Sequence, residues 1–167
     1  MIATSHVIIG GAVGIAVGSV TRNPAAALAA GFIAHIICDA IPHLDSPPGT
    51  KIINGKAVWD KKLFTFALTD SLFAFFLILF LWFKYYHLYF FAPFAWGALG
   101  SYLPDLIDVF PVWNEQLQKL SLFKQFHSVH LAVHHFWQKK YPMPKYWILG
   151  TFSQIIFIIP CLWYILK

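Results

Sequence analysis

Acidic side chains are what this 167-residue chain has least of. It carries seven Asp and Glu against twelve Lys and Arg, and charged residues make up 11% of the total. A water-soluble domain needs about 25%, so this shortage excludes an ordinary solvated surface. Cysteine is nearly absent as well. Cys38 and Cys161 both fall inside apolar stretches, where they read as small apolar fillers and not as a disulfide framework. The opening MIATSH has no basic run, so a cleaved signal peptide is not expected. A phosphate-binding loop, a dinucleotide-binding turn and a serine-nucleophile elbow are all missing. The net charge of +5 does not imply a nucleic-acid partner, because Lys and Arg in a membrane protein mostly report orientation.

What the chain does have is apolar sequence, 59% of the total, with 19% aromatic. Runs of about 20 apolar residues match a bilayer core about 30 Å thick. Five such segments are expected, at about Val7–Val20, from Pro24 to Ile41, Lys62–Phe83, Leu88–Leu103 and Lys145–Leu166. The fold class is therefore an all-α polytopic membrane helical bundle, with residues 1–167 as a single transmembrane domain. The second segment has the clearest start, Asn23 as cap followed by Pro24 at the first helical position. With five spans, Lys51, Lys56, Lys61, Lys62, Lys119, Lys124, Lys139, Lys140 and Lys145 share a side with the N-terminus. Arg22, Lys84 and Lys167 take the other. Nine against three puts the N-terminus in the cytoplasm of a multi-pass protein. Trp59 and Trp147 would then mark the inner interface, and Trp82, Tyr85, Tyr86 and Trp163 the outer one.

Four of the seven acids sit in two similar places. HIICDAIPHLD (35–45) ends the second segment with Asp39 and Asp45 around Pro42. GSYLPDLIDVF (100–110) ends the fourth with Asp105 and Asp108 after Pro104. The echo is consistent with an internal duplication whose two helices run in the same direction toward a shared cavity. His35 and Asp39, at i, i+4, share a helix face. Pro42 ends that helix and lets His43 and Asp45 turn back. Asp105 and Asp108 are at i, i+3. His127, His130 and His134, at i, i+3 and i+7, share a face if FHSVHLAVHHF is helical. The topology gathers these groups and His6 on one side of the membrane, with Asp70 about two turns inside the third segment and Gln154 at similar depth in the fifth. His87, on the opposite side, reads as interfacial. Imidazole with carboxylate is the ligand mixture of zinc and other first-row divalent metals.

Each residue has a plainer reading. One histidine near an interface is commonly just that. Gly10, Gly14 and Gly18 form a small-xxx-small stripe that suits helix packing better than phosphate binding. Asp70 between Thr69 and Ser71 could hydrogen-bond within the bundle, although an ionisable group inside a span is a functional hypothesis by default. Aspartates at a helix C-terminus oppose the helix dipole, so solvated loop residues would have to accept a poor placement twice. Convergence on one face favours a site.

The pieces TSHVIIGGAVG, GFIAHIICDAIPHLD, LTDSLFAFF, GALGSYLPDLID, HSVHLAVHH and the glutamine of GTFSQIIFII resemble a group of small bacterial integral-membrane proteins. These are related to the membrane-bound metal-dependent hydrolase family, which includes the LexA-binding inner-membrane protein. The resemblance places His6, the His35–Asp39 pair, Asp105, Asp108 and His127 at the family's motif positions. The Pro-Asp element here follows the His-x-x-x-Asp helix instead of preceding it. The resemblance implies a bacterial inner-membrane hydrolase that requires a divalent metal.

The expected function is hydrolysis of a lipid or lipid-linked substrate, such as an anionic phosphoester beneath Lys124, Lys139 and Lys140, by a metal site at the cytoplasmic interface. Zinc is the expected cofactor. His35, Asp39, His43, Asp105, Asp108 and His127 lead the ligand candidates, followed by His6, Asp45, Asp70 and His134. One of Asp39, Asp105 and Asp108 would serve as general base. Two alternatives stand beside this: a transporter or ion pathway lined by Asp70 and Gln154, and a non-catalytic protein whose metal staples helix ends.

Overall fold

A computed structural model describes residues 1–53, 56–85, 91–108, 113–138 and 145–167. Among these the long helices are α1 (Ala3–Thr21), α2 (Pro24–Asp39), α3 (Lys61–Tyr85), α4 (Phe91–Asp108), α6 (Ser121–Gln138) and α7 (Trp147–Leu166). A single turn forms α5 (Asn114–Leu117), and β1 (Ile52–Ile53) pairs with β2 (Lys56–Ala57) in a short antiparallel ribbon. The five expected apolar segments all correspond to helices, and the histidine-rich stretch forms the sixth long one. Tyr86, His87, the start of the expected fourth segment, Lys139 and Lys140 lie outside the described residues.

Three helices among the described residues are long and apolar enough to cross a membrane: α1, α3 and α7. α2 is apolar but shorter. These helices differ in how they pack. In α1, 67% of the apolar window is buried, against 11% for α3 and 17% for α7. α1 is therefore the axis of the bundle, while α3 and α7 turn Phe73, Phe76, Phe80, Ile156 and Ile159 outward. An apolar girdle of that size suits hydrocarbon, not water.

The axis is built on small residues. Along α1, His6, Gly10, Gly14 and Gly18 recur every four residues on one face, and α4 answers in the opposite direction with Asp105, Ser101, Gly97 and Pro93. A Cβ at Gly14 would come 2.7 Å from Gly97 Cα, and one at Gly10 would come 2.2 Å from Ser101 Cβ. α2 packs on the same strip of α4, where a Cβ at Gly31 would meet Gly97 O at 2.0 Å. The glycine stripe is a packing seam, as its spacing predicts. It lets three backbones approach where lipid supplies no hydrophobic drive between helices. Val7, Ala12, Phe94, Ala98 and Leu81 fill the core around it.

The seam also fixes the ends. Because α1 and α4 are antiparallel, the stripe that begins at Gly18 and Pro93 finishes with His6 against Asp105. α2 and α4 are parallel: Gly31 meets Gly97, His35 meets Ser101, and Asp39 and Asp105 share the neighbours His6, His35 and His130. Packing of small residues thus delivers His6, Asp39 and Asp105 to one place.

Local signals set the helix ends. Asn23 Oδ1 accepts from Ala25 N at 2.9 Å and Pro24 takes the first turn, as expected of a cap followed by proline. α2 stops at Asp39, because proline at 42 disfavours helical backbone at Ile41. α4 behaves differently from expectation. It runs through Pro104 to Asp108, so Asp105 and Asp108 stand on helix faces and not on a mouth loop.

Candidate metal centre

Four side chains from three helices meet at the common end of α1, α2 and α4. His35 and Asp39 come from α2, Asp105 from α4 and His130 from α6. One ligand atom from each lies within 4.8 Å of the others. His35 Nε2 is 3.0 Å from Asp39 Oδ2 and 3.1 Å from His130 Nε2, and His130 Nε2 is 3.0 Å from Asp39 Oδ2. Asp105 Oδ1 closes the group at 3.7 Å from His35 Nε2 and 3.8 Å from His130 Nε2. Metal bonds of about 2.0–2.1 Å at tetrahedral angles put neighbouring ligand atoms about 3.3 Å apart, within the span of these separations. These buried His and Asp residues could hold a metal ion.

The imidazole tautomers favour that use. His35 Nδ1 faces Ser101 O at 2.7 Å, and a carbonyl only accepts, so the proton sits on Nδ1. His130 Nδ1 faces Asp108 Oδ2 at 2.8 Å and donates in the same way. Both rings are therefore anchored through Nδ1 and aim Nε2 inward. The two Nε2 atoms lie 3.1 Å apart, close enough to share a proton or a metal ion. Burial lowers the His130 pKa, but hydrogen bonds to Asp108 and Asp39, with the charges of Asp105 and Asp39, outweigh it and push the group up to about 9. The pocket thus demands positive charge where the Nε2 atoms converge. The fully buried Asp39 carboxylate has to be compensated, and the Met1 nitrogen, 2.9 Å from Oδ1, does so on the side away from His35 and His130.

A second group adjoins the first through Asp39. His43 Nε2 lies 3.7 Å from Asp39 Oδ1 and 3.3 Å from His134 Nε2, and the three residues again have ligand atoms within 4.8 Å. His43 Nδ1 donates to Ile41 O at 2.6 Å, so its Nε2 also points inward unprotonated. Burial is the main reason its pKa drops to about 3, with the charge of the Met1 nitrogen next. His134 also lies 3.6 Å from Asp45 Oδ2 at the open edge. His6 completes the cluster. It is fully buried, its ring stacks on His35 at 3.9 Å between centroids, and its Nε2 is 3.2 Å from Asp39 Oδ1. Neither of its ring nitrogens makes a well-directed hydrogen bond.

Around the centre, Asp108 accepts from His127 Nδ1 at 2.6 Å as well as from His130, so it orients imidazoles instead of facing the cluster. Such carboxylate–histidine pairs fix ligand geometry in metal sites. His127, a leading candidate by sequence, occupies this outer ring, and His130 takes the inner place. The i, i+3, i+7 spacing had placed all three histidines on one face, but sequence alone does not give the rotation of α6.

Asp70 stands apart. Its Oδ2 accepts from Ala3 N at 2.5 Å, and its Oδ1 from Thr4 Oγ1 at 2.6 Å. α1 begins after Ile2, which has no capping side chain, so α3 lends Asp70 as the cap. Gln154 accepts from Ser5 Oγ at 3.1 Å and donates to Leu44 O at 2.5 Å, and Ser153 Oγ donates to Pro42 O. These contacts pin the loop that carries His43. Asp70 and Gln154 thus fix the start of α1 and the 40–46 turn, which is not the arrangement of a polar lining. They also show the depth of the cluster. Asp70 is nine residues into α3 and Gln154 seven into α7, or about 10–14 Å along those helices at 1.5 Å per residue.

No family model, curated protein or solved structure matches the chain. Fold and site alone define its class: a helical bundle with membrane-length apolar helices and a buried His/Asp cluster able to hold a metal ion.

Proposed function

We propose that this protein is a membrane-embedded, metal-dependent hydrolase of a lipid or lipid-linked phosphoester. The observation that carries the reading is the convergence of two Nδ1-anchored histidines and two aspartates, His35, His130, Asp39 and Asp105, inside an apolar bundle. The proposed metal is zinc, by the mixture of imidazole and carboxylate. Bound there, it would lower the pKa of a water toward about 7 and supply a nucleophile at neutral pH.

The protein's own groups divide the remaining work. Asp105 is partly exposed, so it forms the wall through which water and substrate reach the cluster. The His127–Asp108 pair handles the proton. Asp108 holds Nδ1, which leaves Nε2 to protonate the leaving oxygen as the water oxygen bonds to phosphorus and the ester P–O bond breaks. The site lies below the ends of α3 and α7, and α6 covers it. α6 also shows a stripe of exposed Leu122, Val129 and Phe136. A substrate held in the bilayer is therefore the suitable kind. Five spans, a cytoplasmic N-terminus and residence in a bacterial inner membrane belong to the same reading. They rest on the nine-to-three lysine and arginine asymmetry and on the family resemblance.

The test is turnover of phospholipid and polyprenyl-phosphate mixtures by tag-free protein in lipid nanodiscs. Phosphate or headgroup release by wild type, lost on chelation and in Asp105→Asn, is expected. Release that survives Asp105→Asn at full rate would sink the catalytic assignment.

A further inference from the structure

The same cluster has two faces, and Asp39 stands between them. Its Oδ2 is held by His35 and His130, both at 3.0 Å. Its Oδ1 looks the other way, toward the Met1 nitrogen at 2.9 Å, His6 at 3.2 Å and His43 at 3.7 Å, with His134 behind His43 at 3.3 Å. Asp105 divides in the same sense: Oδ1 faces His35 and His130, and Oδ2 lies 3.8 Å from His6.

We propose that the centre is dinuclear, with Asp39 as the carboxylate that bridges a first divalent ion held by His35, His130 and Asp105 and a second held by His43, His134 and His6. This deepens the function proposed above and rests on it. The second position does not depend on the acidic residues alone. His6 is fully buried with no well-directed partner for either ring nitrogen, an unfavourable state for a buried polar group. His43 Nδ1 carries the proton that it gives to Ile41 O, so its Nε2 offers a lone pair 3.3 Å from His134 Nε2, and these two histidines and Asp39 have ligand atoms within 4.8 Å of one another. These histidines line the Oδ1 side of the shared carboxylate, where a second ion would take over the compensation that the Met1 nitrogen now gives at 2.9 Å. Hydrolytic sites that use two ions hold them about 3.5–4 Å apart and clamp the attacking and leaving oxygens of an in-line displacement at phosphorus. Such a pair suits the phosphate ester proposed above.

The experiment loads tag-free, detergent-purified protein with Mn(II), removes excess ion, and reads metal per chain by mass spectrometry and spin coupling by electron paramagnetic resonance. Wild type is expected to hold two ions per chain with an exchange-coupled spectrum. The double variant His43→Ala, His134→Ala should hold one, uncoupled. One uncoupled ion in wild type would overturn the dinuclear centre and leave the single-metal reading standing. No bound ion would overturn both. Two ions retained by the double variant would overturn the assignment of the second position. If that variant fails to fold, the wild-type stoichiometry and coupling decide alone.

Discussion

The tips of α2 and α4 look alike in sequence and work differently. α2 stops before its proline, so the chain turns back and brings His43 beside Asp39. α4 carries its proline within the helix, so Asp105 and Asp108 stay three residues apart on adjoining faces. One faces the cluster and the other faces the histidines behind it. Asp39 is 1% exposed and uses both oxygens, whereas Asp108 holds His127 and His130 in place. The α2 tip thus supplies Asp39 and His43 to the cluster, whereas the α4 tip supplies one ligand candidate, Asp105, and one orienting group, Asp108. What decides is whether the helix ends before the proline or continues past it.

Unequal losses would test this contrast most strongly. Asp39→Ala strips compensation from several buried groups, so it should abolish metal retention and cost about 3–5 kcal/mol of stability, read by metal content and thermal unfolding in detergent. Asp108→Ala should keep the metal but weaken its binding by about 10–100-fold, read by competition with a chelator. Equal effects of the two would erase the distinction between the tips.

The seam that sets α2 against α4 comes next. Gly31→Ala forces a methyl onto Gly97 O and should destabilise by about 1–3 kcal/mol. Metal affinity should fall with it, because His35 and Ser101 ride on the same contact.

Asp70→Ala removes a cap and should cost about 0.5–2 kcal/mol, while metal stoichiometry stays intact. A loss of metal there would return Asp70 to the ligand set.

Smallest is Pro104→Ala. It restores a helix donor without moving Asp105 or Asp108 to new faces, so metal content should be unchanged and stability unchanged or raised. A fall in metal content would mean that the α4 tip needs its proline as much as the α2 tip does.

How far the sequence revealed this can be followed residue by residue. The apolar helices, the glycine seam and the His35–Asp39 pair are all local periodicities, and local periodicity survives folding. Three features were not legible. Pro104 reads locally as a stop, yet α4 is held along its length by α1 and α2, and tertiary packing carries it through. His127 and His130 share a helix face, and which one reaches Asp39 depends on how α6 is turned against α2 and α4. Asp70 reads as an intramembrane acid with a chemical task. Its task is to cap a helix in another part of the chain, and the need for that cap shows only once α1 is seen to start after Ile2, ahead of Thr4 and Ser5.

The central claim is that His35, Asp39, Asp105 and His130 hold a metal ion. Anomalous X-ray diffraction at the metal edge tests it most directly, on crystals of tag-free protein grown without chelator. The account predicts a peak about 2.0–2.2 Å from His35 Nε2, His130 Nε2 and Asp39 Oδ2. Fully loaded crystals with no peak among these atoms, or with the metal bound elsewhere, would contradict it.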